Sequence, residues 1–263
     1  MSPTPTPIFI ATTYGDVSAF VLVPEEVRGE PVMVIPGGNN PRVRDQVTRN
    51  VALRLSAMGR PVLRMDHPGA GTSPESTATR KDKPRVLEEV CNRFVELCGS
   101  ERITIIGTCG GAMSALAIAK DMDRVSTVLT IACPFRARGR DKRRVRAGVA
   151  AVDAIGGPLA RALAAGHERE TTTLMPKLEG VVGALPRVVE RTRLVFLYGE
   201  DDEFLDDFKW LTASGTVEET VADKMECIVL SEANLYQYSS TDILERLEET
   251  IVRALAEPSQ AQA

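Results

Sequence analysis

A cysteine between glycines is the residue of this chain that is best placed to do chemistry. Cys109 stands within Gly107-Thr108-Cys109-Gly110-Gly111, after an apolar run and before a series of small residues. Glycines on both sides permit a sharp turn and a close approach of strand and helix. The pattern predicts a strand that turns into a helix at Cys109, with the thiol held above the edge of a sheet.

The backbone of such a turn can assist a thiol nucleophile. N–H groups at the start of a helix point at the group that the side chain attacks, and they stabilise a developing oxyanion. The same dipole favours a thiolate, so we expect the pKa of Cys109 to be lowered. We expect Gly110 to supply an oxyanion donor and Thr108, which borders the turn, to contact the substrate.

The elements that must position Cys109 alternate along the chain. Apolar runs typical of strands and amphipathic runs typical of helices follow each other, which predicts a parallel sheet with crossover helices and an α/β fold. The predicted strands cover 8–15, 17–24, 31–38, 61–66, 102–108, 125–133, 192–199 and 224–230, and the predicted helices cover 42–59, 83–99, 110–120, 204–211 and 241–256.

One domain with an inserted helical segment is predicted. The chain has 263 residues, of which 43% are hydrophobic, enough for one sizeable core. We place this core at about 8–135 and 191–256. Glycines and prolines repeatedly interrupt the helical pieces of 136–190, which predicts a helical lid. We expect 257–263 to form a disordered tail.

Composition excludes several classes of protein. A net charge of −4 and a pI near 5.5 give no nucleic-acid-binding signature. The start of the chain does not resemble a signal peptide, and no apolar run approaches the ~20 residues of a membrane span. Five cysteines without a C-x-x-C pair, and only two histidines, argue against a disulfide framework and a zinc site. We expect a cytoplasmic protein with no metal and no tightly bound cofactor.

Four motifs in their order along the chain resemble those of the α/β-hydrolase superfamily, in the variant with a cysteine nucleophile. The G-x-C-x-G turn resembles the nucleophile elbow. Pro36-Gly37-Gly38-Asn39 follows the third strand, where the family places its second oxyanion donor. The run from Asp66 to Ser73 resembles the D-x-x-G-x-G-x-S turn, and 194–204 resembles the strand and loop that carry the acid.

This resemblance covers about 17–255 and implies both fold and roles. It implies an α/β-hydrolase fold, with a mostly parallel twisted sheet flanked by helices and a helical lid. It makes Cys109 the nucleophile, Asp202 the acid, and Gly38 or Asn39 an oxyanion donor. The elbow is also similar to those of small bacterial cysteine proteins, some associated with exopolysaccharide or polyketide gene sets, of polyhydroxyalkanoate synthases and of dienelactone hydrolases.

The family's catalytic histidine is missing from its usual place. That place is the loop after the last strand, 230–240, which holds Asn234 or Leu235 at the corresponding position and no histidine. Three interpretations stay open. His67, in the turn after the fourth strand, could substitute as base; His167 could reach in from the lid; or no histidine acts.

A missing base changes which reactions are expected. Serine without a base is inert, whereas a thiol is already a few per cent thiolate at pH 7 and can attack an activated acyl group. Release of the acyl group to water normally needs a base, so an amine, thiol or hydroxyl acceptor would compete well. We expect a cysteine-dependent acyl-transfer or thioesterase-like enzyme acting on an activated (thio)ester in specialised metabolism. The alternatives are a catalytically degenerate binding or scaffold protein, and a non-hydrolytic lyase or cyclase.

Two further features border the predicted site. Cys133 ends the sixth strand, where it either lines the pocket or is a small buried apolar residue. A basic run at 136–146 opens the lid; it is either a solvated helix start or a surface for an acyl carrier protein or a coenzyme A thioester. The arginines that would make this contact are Arg136, Arg138, Arg140 and Arg143.

Overall fold

An eight-stranded sheet forms the centre of the molecule. The computed structural model describes residues 4–37, 46–79, 81–136, 174, 178–234 and 241–256. The strand order is β1-β2-β4-β3-β5-β6-β7-β8; β1 and β4 pair antiparallel with β2, and the other pairs are parallel. The strands are β1 (Thr6–Thr12), β2 (Gly15–Leu22), β3 (Val32–Ile35), β4 (Val62–Met65), β5 (Ile103–Thr108), β6 (Val125–Ile131), β7 (Arg193–Gly199) and β8 (Met225–Leu230).

Helices connect the parallel strands, as the alternating sequence pattern predicts. In the described part of the chain they are α1 (Gln46–Ala57), α2 (Lys83–Leu97), α3 (Gly110–Asp121), α4 (Glu179–Val182), α5 (Leu185–Val188), α6 (Leu205–Ala213), α7 (Glu219–Ala222) and α8 (Thr241–Ala256). None of these helices is long and apolar enough to cross a membrane.

The core lies on both faces of the sheet. Every residue of β3, β4 and β5 is buried, which explains why apolar residues stand at successive positions of these strands and do not alternate with polar ones. Helices cover the faces through apolar stripes of helical period. In α8 the predicted stripe is Ile243, Leu247, Ile251 and Leu255; the first three are buried, and Leu255 in the last turn is half-buried.

The predicted lid is described only in part. Its last section, 178–190, forms α4 and α5, whose buried residues pack against α3. Apart from Arg136 and Leu174, the remainder of 136–177 lies outside the described residues, as does the predicted tail 257–263. The sequence did not predict α7, a single turn too short to show a helical period.

Candidate active site

The turn at Cys109 has the geometry that its glycines predict. β5 ends at Thr108 and α3 begins at Gly110, and Cys109 between them has φ 47° and ψ −111°. A side chain in this backbone region is strained by about 1–3 kcal/mol and persists only where the surroundings enforce it. Here the Cys109 N–H donates to the Ile131 carbonyl at 2.8 Å, which ties the turn to β6.

Two glycines are required because the start of α3 presses on the sheet. A Cβ on Gly107 would lie 2.5 Å from the carbonyl oxygen of Gly111. A Cβ on Gly111 would be still closer to the carbonyl oxygen of Ile35, at the end of β3. Both distances are too short for real Cβ atoms, so any side chain here would displace the helix that carries Cys109.

The loop after β3 passes beside the nucleophile. A Cβ on Gly37 would lie 3.1 Å from the Thr108 carbonyl oxygen and 3.4 Å from the Cys109 Cβ. The structure thus brings the start of this loop next to Cys109. The predicted oxyanion donors Gly38 and Asn39 follow immediately but lie outside the described residues, so their role stays a prediction.

Burial decides the ionisation of the Cys109 thiol. The Gly110 N–H lowers the pKa of Cys109, as expected for the start of a helix, but desolvation raises it by more. The expectation of a lowered pKa is therefore wrong in its net sign, since the half-buried position of the thiol was not visible in the sequence. In the absence of substrate the neutral thiol is the dominant form at pH 7.

The predicted base His67 is buried and bound to the loop after β3. Its Nε2 lies 3.0 Å from the Pro36 carbonyl oxygen, so this nitrogen is assigned the proton and donates to the carbonyl. Its buried Nδ1 has no hydrogen-bond partner among the described residues. Burial lowers the pKa of His67, which keeps the ring neutral at pH 7 with its lone pair on Nδ1.

The D-x-x-G-x-G-x-S turn holds His67 in this position. The buried Asp66 carboxylate accepts the N–H and the hydroxyl of Thr72 at 2.9 and 3.0 Å. Gly71 has φ 59°, and a Cβ on it would lie 2.5 Å from the Asp66 Cγ. The motif residues therefore shape the turn, and His67 is the member of the turn that reaches the neighbouring loop.

The acid loop and the last loop lie side by side. The buried Asp202 accepts the Gly199 N–H at 2.7 Å, so its carboxylate binds the backbone of its own loop. The Asp201 N–H donates to the Ala233 carbonyl at 2.9 Å, and Asn234 Nδ2 donates to the Asp201 carbonyl at 3.1 Å. Asn234, one of the two residues that the resemblance places at the histidine position, thus binds the acid loop through an amide, which cannot act as a base at pH 7.

Cys133 follows the end of β6 and lies near the nucleophile. It is fully buried, and burial raises the pKa of its thiol well above the ordinary value, with smaller contributions from nearby Cys109 and Asp207. Its carbonyl accepts the Tyr198 hydroxyl at 3.0 Å. This placement agrees with the interpretation of Cys133 as a small buried residue near the site.

A buried ion pair at the start of the predicted lid was missed in the sequence. The fully buried Asp207 carboxylate accepts the N–H groups of Phe135 and Arg136 at 3.1 Å, and the Arg136 Nε at 2.6 Å. Arg136 also forms an antiparallel β-bridge with Leu174, which joins the two sides of the inserted segment. The signal in the sequence was that Asp207 stands four residues before Leu211 and therefore on the same face of the helix.

The predicted basic surface is described for one of its four arginines. Arg136, which we expected in a basic surface, directs its guanidinium into the ion pair with Asp207. The other three arginines of that surface lie outside the described residues, and so do His167 and Leu235. The carrier-protein contact through Arg138, Arg140 and Arg143 stays a prediction.

Comparison with known proteins agrees with this geometry at the level of the fold. No family model and no curated protein matches the chain. An esterase from Pyrococcus furiosus superposes with a TM-score of 0.67 and 15% identity over 97% of this chain and 90% of that one. A thioesterase domain from the curacin biosynthetic pathway gives 0.61 and 13%, over 95% and 99% of the two chains.

An alpha-beta serine hydrolase homologue from Coxiella burnetii has a TM-score of 0.59 and 16% identity over 95% of this chain and 97% of that one. These superpositions cover nearly the whole of each chain although the sequence identity is low. The chain has the α/β-hydrolase fold.

Proposed function

We propose that this protein is a cysteine-dependent enzyme that transfers or hydrolyses the acyl group of an activated ester or thioester. The strained elbow at Cys109 is the observation that carries the proposal. Strain of this kind is kept where a side chain must be presented at a fixed angle, and here it presents a nucleophilic atom. Esterase and thioesterase structures of the same fold support an acyl substrate.

The first half-reaction uses groups that the elbow supplies. The Cys109 thiol loses its proton to solvent or base, and its sulfur attacks the acyl carbon to form a C–S bond. The carbonyl π electrons move to oxygen, where the Gly110 N–H and a donor from Gly38 or Asn39 stabilise the charge. Collapse expels the leaving group; a thiolate leaves without prior protonation, whereas an alkoxide needs an acid, so thioesters are favoured.

The second half-reaction depends on the acceptor. The resemblance places Asn234 or Leu235 at the position of the usual base, and neither side chain can take a proton at pH 7. Of the described residues, His67 is the proposed base, because its neutral ring keeps a lone pair on Nδ1 and its Nε2 binds the loop that flanks Cys109. An amine or thiol acceptor attacks the acyl-enzyme more readily than water does, so transfer is favoured over hydrolysis.

A binding or scaffold protein is the second candidate. It is favoured by the lack of a histidine in the loop 230–240 and by the raised pKa of Cys109. Such a protein would still bind a ligand in the pocket beside Cys109 but would not catalyse its conversion. The inserted segment then matters as a contact surface, for which Arg138, Arg140 and Arg143 are the proposed contacts with an acyl carrier protein or a coenzyme A thioester.

Steady-state turnover separates the candidates. An acyl N-acetylcysteamine thioester is incubated with the protein, and product is measured by chromatography with and without an added amine or thiol acceptor. We expect turnover that rises with acceptor concentration and falls about a hundredfold or more in Cys109→Ala. The matched control is Cys227→Ala, which removes an exposed cysteine on β8 and should leave turnover unchanged.

Two results would reject the enzyme. One is equal rates for the wild type and Cys109→Ala. The other is no product from acetyl, hexanoyl or decanoyl thioesters, although the protein is folded by circular dichroism.

A further inference from the structure

A cavity lies at the end of the sheet opposite Cys109. Its volume is about 330 Å³, and it opens where the parallel strands β3, β5, β6 and β7 begin, whereas Cys109 follows the end of β5. Its lining combines positive charge with hydrogen-bonding groups. The polar side chains there are those of Arg28, Arg60, Arg102, Arg193, Glu30, Thr104, Ser126 and Thr127.

Arg60 is the central cation of this cavity. Its Nε donates to the Glu30 carbonyl at 2.9 Å and its Nη2 donates to the Thr104 hydroxyl at 2.8 Å. Both acceptors are neutral, and no carboxylate of the described residues lies within ion-pair distance of this guanidinium. Burial lowers the pKa of Arg60, because a partly desolvated guanidinium is less stable in its charged form.

Two of the other arginines already have close acidic partners. Arg193 binds Glu226 through two contacts of 2.6 Å and donates to the Ala254 carbonyl. Arg28 pairs with the exposed Glu26 at 2.6 Å. Arg193 and Arg28 therefore line the cavity, but each has its positive charge balanced by a glutamate.

The Glu30 carboxylate lies near the two remaining arginines, Arg60 and Arg102. It lies 3.8 Å from the Arg102 Nε and accepts the Ser126 hydroxyl, and its charge is the acidic one that acts on Arg60. Among the described residues, the Glu30 carboxylate is thus the acidic group that balances the charge of two guanidiniums, those of Arg60 and Arg102. Both guanidiniums belong to residues that line the cavity. The positive charge left over is centred on Arg60 and Arg102.

We propose that this cavity binds a small, multiply charged oxyanion, a phosphate ester or a polycarboxylate, with Arg60 and Arg102 as its main ligands. Guanidinium N–H groups match the acceptor-only oxygens of such anions in bidentate geometry. The volume is near the lower limit of ~300 Å³ for small-molecule sites, which suits a metabolite of this size. The ligand adds to the partial compensation that the Glu30 charge gives for the desolvation of Arg60.

Calorimetric titration of the full chain tests this proposal. Pyrophosphate and citrate are titrated separately at constant ionic strength set with chloride, so that the two arms distinguish phosphate from carboxylate. We expect saturable binding of at least one of them and weakening by about tenfold or more in the double variant Arg60→Gln, Arg102→Gln, which corresponds to the loss of one to two charge-assisted hydrogen bonds.

The control is the double variant Arg85→Gln, Arg93→Gln on α2, where the side chains are 69% and 65% exposed. It should bind like the wild type. If the cavity double variant does not fold, Arg102→Gln alone should weaken binding at least threefold, because this side chain is 41% exposed and contributes little to stability.

The proposal is overturned if neither anion binds saturably, or if the control variant loses as much affinity as the cavity variant. Its failure is independent of the proposed function, because Cys109 acylation is measured on the same samples. Acylation should be unchanged by either double variant.

Discussion

The two ends of the central sheet use different kinds of interaction. At the carboxyl end the site depends on backbone geometry: a strained Cys109, glycines in contact with carbonyl groups, and carboxylates that bind main-chain N–H groups. At the amino end, arginines and glutamates form partly exposed ion pairs around a cavity. The comparison indicates that single substitutions should be costly at the first end, whereas those of the exposed arginines Arg28 and Arg102 should be tolerated at the second.

The largest effect is expected from Asp207→Ala at the carboxyl end. It would leave Arg136 without its buried partner and two backbone N–H groups without an acceptor. We expect the free energy of unfolding to fall by about 3–5 kcal/mol, measured by urea denaturation. The exposed neighbour in Asp206→Ala is the control and should change it by less than about 0.5 kcal/mol. An equal loss in the free energy of unfolding for both variants would show that the buried ion pair stabilises the fold no more than an exposed aspartate does.

Gly111→Ala tests the close contact between α3 and the sheet. The new methyl group would overlap the Ile35 carbonyl, so we expect a loss of about 1–3 kcal/mol in the free energy of unfolding and reduced acylation of Cys109. Gly180→Ala in α4 meets open space and should be neutral or slightly stabilising. A neutral result at Gly111 would mean that the elbow is less constrained than its glycines indicate.

The pH dependence of His67 gives a smaller effect. Its pKa is depressed in the folded protein, so the unfolded chain binds the proton first as the pH falls below about 6.5. Stability from the neutral ring is complete above that pH and is lost below it, by up to about 1.4 kcal/mol per pH unit.

The difference between wild type and His67→Gln, followed from pH 7.5 to 5 by urea denaturation, isolates this contribution because carboxylates common to both proteins cancel. Glutamine also offers an N–H donor to the Pro36 carbonyl. A difference that stays constant over this range would contradict a neutral buried ring.

The smallest effect is expected at the amino end. Arg28→Gln breaks an ion pair whose two side chains are 68% and 70% exposed. We expect a change in thermal stability equivalent to at most about 1 kcal/mol, and a smaller one at 1 M salt. A larger, salt-independent loss would remove the distinction between the two ends of the sheet.

The sequence predicted the elements better than the interactions. Strands and helices were visible because buried parallel strands read as apolar runs and α8 carries an apolar stripe, and the glycines around Cys109 predicted its turn. The pKa of Cys109 was not predictable, because it depends on how far the thiol is buried in the folded protein. The Asp207 ion pair joins residues 71 positions apart, which only the folded sheet brings together.

The arginine cavity shows a similar limit. Arg60, Arg102 and Arg193 each stand at or just before the start of a parallel strand, and these starts meet at one edge. That recurrence was a usable signal. It was overlooked because the residues are far apart in the sequence and each alone is an ordinary charged residue.

Intact mass spectrometry after acid quench tests the central claim that Cys109 is an acylated nucleophile. The protein is mixed with an excess of an acyl thioester, and the mass and the modified peptide are determined. We predict one acyl group per chain, on the peptide that contains Cys109, and none in Cys109→Ala. An unmodified chain, or an acyl group that persists in Cys109→Ala at the same stoichiometry, would contradict the account.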